Sequence, residues 1–84
     1  MKTIYKYPIL IDDEVAVAAP RGAKFRHVGR DPIGLGTRLW LEVDTDAPIV
    51  EHTFYVRETG QPLPADTQHL ATWVDGTFVW HLFA

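Results

Sequence analysis

The amino-acid sequence predicts an all-β domain of six or seven short antiparallel strands, hairpin-connected, forming a small barrel or sandwich. Three observations predict it. Apolar and polar residues alternate with a period of two along most of the chain, turn chemistry separates the alternating runs, and Asp75-Gly76 sits between two apolar segments near the C-terminus. The chain has 84 residues, which reads as a single domain over residues 1–84 with a modest core.

Each element has its own warrant. Thr3, Tyr5, Tyr7 and Ile9 alternate with Ile4 and Lys6, a pattern rich in aromatic and branched residues that suit a strand. Asp12-Asp13-Glu14 breaks that run, after which Val15, Val17 and Ala19 share one face of a second strand. Pro20-Arg21-Gly22 is a turn, because Pro presets φ and Gly tolerates positive φ. Ala23, Phe25 and His27 then oppose Lys24 and Arg26. Residues 29–36, with Asp31-Pro32 and Gly34-Leu35-Gly36, read as a loop.

The clearest alternation follows. Leu39, Leu41 and Val43 point one way, while Arg38, Trp40, Glu42 and Asp44 point the other. After a turn at Thr45–Pro48, Val50, His52, Phe54 and Val56 oppose Glu51, Thr53, Tyr55 and Arg57. Residues 59–64 contain Gly60, Pro62 and Pro64, which exclude a regular ladder. Asp75-Gly76 fits a two-residue type I′ hairpin, setting Trp73 opposite Phe78, Ala71 opposite Trp80 and His69 opposite Leu82. Trp73, Phe78, Trp80 and Leu82 then share an apolar face that must pack on another layer. A rival reading caps a helix at Asp66 and runs it through Thr67–Val74 to Gly76. Strand is preferred, because Thr72, Trp73 and Val74 favour it.

Composition narrows the function classes. The chain has no Cys, hence no disulfide framework, thiolate nucleophile or Cys-based zinc site, and the cytoplasm is the expected compartment. No run approaches the ~18 apolar residues of a membrane span. Net charge is −3, unevenly placed: residues 1–38 carry +3 and residues 39–84 carry −6. A negative chain disfavours nonspecific DNA binding, which needs rows of Lys and Arg, so no direct nucleic-acid partner is expected.

Little in the sequence is equipped for catalysis. There is neither Ser nor Cys, so the usual Ser–His and Cys–His pairs are unavailable. His27, His52, His69 and His81 lack the short spacings of a local metal-ligand pair, and the hairpin register above puts His69 and His81 on opposite faces. Glu42, Asp44 and Asp46 lie beside a turn, where a solvated rim explains them better than an acid–base pair in a cleft. Gly34-Leu35-Gly36 lacks the rest of a phosphate-binding loop. The expectation is a protein without enzymatic activity, metal or cofactor. Trp40 and Tyr55 fall on charged strand faces, where exposed aromatics rimmed by charge suit protein binding.

Nearly the whole chain also resembles a family of small uncharacterised phage and prophage proteins. The residues that carry the resemblance are the start Met1-Lys2-Thr3-Ile4-Tyr5-Lys6-Tyr7-Pro8, Pro20-Arg21-Gly22-Ala23, Leu39-Trp40-Leu41-Glu42-Val43-Asp44, Thr59-Gly60 with Leu63-Pro64, and the ending Val79-Trp80-His81-Leu82-Phe83. It departs from the pattern in the Gly-rich loop of residues 29–36 and at Glu58. The resemblance supplies no activity, cofactor or functional residue. It implies a context in which small phage accessory proteins act by binding, anti-CRISPR proteins among them.

On that basis the expected function is inhibition of a host CRISPR effector complex, blocking its nucleic-acid engagement. Glu42, Asp44, Asp46 and Glu51 would steer toward Lys- and Arg-lined channels, with Trp40 or Tyr55 as anchor. The alternatives are a structural or assembly module acting as a homo-oligomer, and a nucleotide-binding sponge that uses Arg21, Arg26 and Arg30.

Overall fold

A computed structural model describes residues 1–34 and 36–84; Leu35, the centre of the predicted Gly-rich loop, lies outside them. Seven strands follow one another: β1 (Lys2–Pro8), β2 (Glu14–Pro20), β3 (Lys24–Arg30), β4 (Thr37–Asp44), β5 (Ile49–Glu58), β6 (His69–Asp75) and β7 (Phe78–Phe83). They form two antiparallel sheets, β1-β4-β3 and β2-β5-β7-β6. The architecture is a small sandwich rather than a closed barrel: β3 and β6 approach each other on one side without pairing. No helix among the described residues is long and apolar enough to cross a membrane.

The alternation read from sequence places the core. Leu39, Leu41 and Val43 of β4 are almost fully buried and meet Val17, Ala19, Phe54, Val56, Trp73 and Leu82 from the other sheet. This is the expected result for a half-buried strand, whose successive side chains point to opposite faces. Residues 67–74 settle as coil and strand rather than helix, and Asp66 is no cap: it sits in a turn with φ 56.

Connectivity departs from a chain of hairpins. Among the described residues, only β3–β4 and β6–β7 are sequence neighbours that pair directly. The β1–β2, β2–β3 and β4–β5 connections pass between sheets, and β5 reaches β6 across the position that β7 fills. Alternation marks a strand and its inward face, but it carries no information on which strand lies alongside.

Local departures concern register. The β6–β7 loop is Gly76-Thr77, not Asp75-Gly76: Asp75 pairs with Phe78, Val74 with Val79, Trp73 with Trp80 and Ala71 with Leu82. Only Gly76 takes positive φ there, 62°, as in a type II′ turn with Gly first. The slip moves pairing by two positions in the combined count, so parity is kept. Trp73, Trp80 and Leu82 still share the inward face, whereas Phe78, on the same side of the hairpin, is half-exposed beside the turn and stacks on Trp80.

Two bulges do change faces. In β3 the register shifts between Phe25 and His27, so Phe25 stays with the core while His27 turns to the outer face opposite Trp40, not to the Ala23/Phe25 face expected from strict alternation. In β6 the shift lies between His69 and Ala71, which brings His69 onto the outer face with His81. The expectation that these two histidines are kept on opposite faces is therefore corrected.

Candidate functional site

The outer face of β1-β4-β3 is built from cross-strand rows. Lys2 lies opposite Asp44; Ile4, Glu42 and Lys24 form the next row; then come Lys6, Trp40 and His27; and Pro8, Arg38 and Gly29 close the series. Trp40 is in the middle. Because Leu39 and Leu41 take the core side of β4, the pleat forces the indole outward, where it is half-buried. Its ring lies 5.3 Å from that of His27, tilted by 48°.

Ion pairs hold the surroundings of this indole. Arg26 donates through Nε and Nη2 to Glu42 Oε1 at 3.1 and 2.8 Å. The Arg26 guanidinium holds the Glu42 carboxyl below its ordinary value. On the other side Asp31, only 4% exposed, accepts from Lys6 Nζ at 2.8 Å and from the Ile33 N–H at 3.1 Å, with Arg38 Nε at 3.5 Å. The Lys6 hydrogen bond, followed by the backbone donors, lowers the Asp31 carboxyl to about 2. Asp31 thereby ties β1, β4 and the loop after β3 together and orders two long basic side chains beside Trp40.

The predicted interface residues separate into two groups. Trp40, Glu42 and Asp44 lie on this outer face and Asp46 on the turn that follows it. Glu51 and Tyr55 belong to the outer face of the second sheet, where Tyr55 lies between Glu14 and Phe83, with Arg57 Cζ 5.9 Å from its ring centroid. The sandwich stands between the two groups, so one flat partner surface cannot meet Trp40 and Tyr55 together.

The acidic turn is also more neutral than its sequence suggests. The Met1 ammonium donates to Asp44 Oδ1 at 3.2 Å and to Asp46 Oδ2 at 2.9 Å. Asp44 is held below its ordinary value first by the Asp46 backbone N–H and then by that ammonium. Lys2 and Lys24 are without an ion pair among the described residues. The face thus presents an aromatic centre, internally matched pairs and two free cations.

The sequence places Arg38 beside Trp40 and Glu42 but does not announce Asp31, Lys6 and Ile4 as parts of this face. Lys2, Ile4 and Lys6 at alternate positions were the available signal for β1, whereas the Asp31 contacts depend on tertiary folding. Two open surface depressions lie elsewhere. One of about 210 Å³ is lined by Ile11, Asp12, Asp13, Glu58 and Trp80, among others, and one of about 320 Å³ by Phe25, His52, Phe54 and Leu70, among others. Neither is lined by Arg21, Arg26 or Arg30. His52 has its Nε2 at 3.2 Å from the Ala19 carbonyl and 3.1 Å from that of Pro20, a structural arrangement.

Searches of curated proteins and of solved structures find no match to this chain. A family model does match, over residues 1–84. The chain belongs to the family described as Domain of unknown function (DUF7352).

Proposed function

We propose that this chain is a non-catalytic binding protein that engages a partner protein through the outer face of β1-β4-β3, with Trp40 as its anchor. The observation that carries this reading is the position of Trp40: an indole turned away from a complete core, in the middle of a sheet face whose charged neighbours are already ordered. Preordering matters because association then costs less side-chain entropy, and Trp is a preferred hot-spot residue.

A protein partner is favoured over nucleic acid on charge. Lys6, Arg26 and Arg38 are engaged by Asp31 and Glu42, which leaves Lys2 and Lys24 for phosphates. Nucleic-acid binders that work by counterion release commonly make about 6–10 phosphate contacts.

In the phage setting implied by the sequence resemblance, the partner is a host defence effector and the task is anti-CRISPR-like inhibition. Of the steering carboxylates expected for that role, Glu51 is the one outside the Trp40 face and its adjoining turn; the others are paired internally. Titrating the protein into CRISPR effector complexes while scoring DNA binding tests this reading. Inhibition that Trp40→Ala abolishes supports it, and unchanged DNA binding at excess protein removes it.

A second reading has its own observation. β5 pairs with β2 from Ile49 to Tyr55 but with β7 only from Tyr55 to Glu58, so half of one edge has no neighbouring strand among the described residues. A homo-oligomer formed by strand addition would use that edge. Light scattering at high concentration decides it: a strict monomer excludes this reading.

A further inference from the structure

The bulge in β6 assembles a chain of side chains on the outer face of the β6–β7 hairpin. Thr59 Oγ1 is 2.9 Å from His81 Nε2, His81 Nδ1 is 2.8 Å from Thr72 Oγ1, and the same Thr72 oxygen is 2.8 Å from His69 Nε2. The two imidazole centroids are 6.2 Å apart, and His69 packs edge-on against Phe83 at 5.4 Å. His69 and Thr72 are exposed, so the group opens to solvent.

We infer that His69 and His81 form a two-imidazole site for a divalent transition-metal ion, seated between their facing nitrogens where the Thr72 hydroxyl now bridges them. Three features favour a cation there. Both facing ring nitrogens are aimed at one spot, each 2.8 Å from the exposed Thr72 hydroxyl, which donates to one ring and accepts from the other and can rotate aside. A cation in that spot takes a lone pair from each ring, with His69 in the tautomer that leaves Nε2 unprotonated. Thr59 can accept the Nε2–H of His81, which fixes the tautomer whose Nδ1 lone pair faces the site; ligating histidines commonly donate their other N–H in this way. Phe83 under the His69 ring limits its rotation.

The opposing charge nearby is Arg57, which pairs with His81 across β5 and β7. Its guanidinium is turned toward the Asp13 and Pro62 carbonyls at 2.8 and 3.0 Å and toward the Tyr55 ring. No group of three or more His, Cys, Asp or Glu with metal-binding geometry occurs among the described residues. The protein thus supplies two ligands, and the other coordination positions face solvent. Imidazole ligation with open positions suits copper(II), nickel(II) and zinc(II), with copper(II) held most tightly.

The test is titration of the purified protein with copper(II), nickel(II) and zinc(II) chlorides separately, followed by calorimetry and by NMR of the imidazole resonances. The expected result is binding that perturbs His69 and His81 but not His27 or His52. Affinity should weaken at least tenfold in each of His69→Gln and His81→Gln, and about tenfold in Thr59→Val. Gln keeps a hydrogen-bonding group toward Thr72, and circular dichroism confirms that each variant is folded. Affinity should also fall as pH is lowered, because protons compete for the same lone pairs. Absence of binding to the native protein overturns the site. So does retention of full affinity in the double Gln variant, or a loss confined to one of the two single variants.

Discussion

Trp40 and Leu41 are adjacent in β4 and should behave oppositely on truncation. Leu41 is 1% exposed, at the centre of the inter-sheet core. Leu→Ala at such a site removes buried methyl groups and leaves a cavity, costing about 3–5 kcal/mol. For a domain of this size each kcal/mol lowers Tm by roughly 4–8 °C, so Leu41→Ala should lose more than about 10 °C. Trp40 is half-buried and has His27 as its aromatic neighbour, on a face that no second layer covers among the described residues. Trp40→Ala should forfeit that contact and part of its apolar area, about 1 kcal/mol and a few degrees. Thermal unfolding followed by far-ultraviolet circular dichroism reads both. A Trp40→Ala loss as large as that of Leu41→Ala would show the indole to be structural, and the binding face would then have no anchor.

Two further outcomes follow from the geometry. The Asp31 carboxyl is held at about 2, below its unfolded value, so its stabilising effect is full above the ordinary carboxylate range and is lost as pH falls toward 2. Asp31→Asn should therefore be less stable than the native protein at pH 7, with the gap closing between about pH 4 and 2; denaturant midpoints across that range check it, and a constant gap contradicts it. At the β6–β7 turn, Gly76→Ala should cost about 1 kcal/mol or more because Gly76 has φ 62, while Asp75→Ala should change stability by less than about 0.5 kcal/mol. Equal losses at the two positions in equilibrium unfolding would favour an Asp75-Gly76 loop instead.

The sequence by itself determined the strands and their inward faces. Leu39, Leu41 and Val43 lie inward, as do Phe54 and Val56, because side-chain direction in a strand is a local property with a period of two. It also kept Trp73, Trp80 and Leu82 on one face despite a shifted turn, since the shift preserved parity. Apart from β6 and β7, whose intervening turn residues announced a hairpin, tertiary structure decided which strands are neighbours, because pairing order depends on how two apolar faces cover each other. It also decided where a bulge interrupts the period. The shift near Arg26 turns His27 to Trp40, and the shift near Leu70 turns His69 to His81; each follows from cross-strand packing that no local pattern records. The same holds for Asp31, whose partners Lys6 and Arg38 come from two other segments, and for Tyr55, which folding carries to the side away from Trp40.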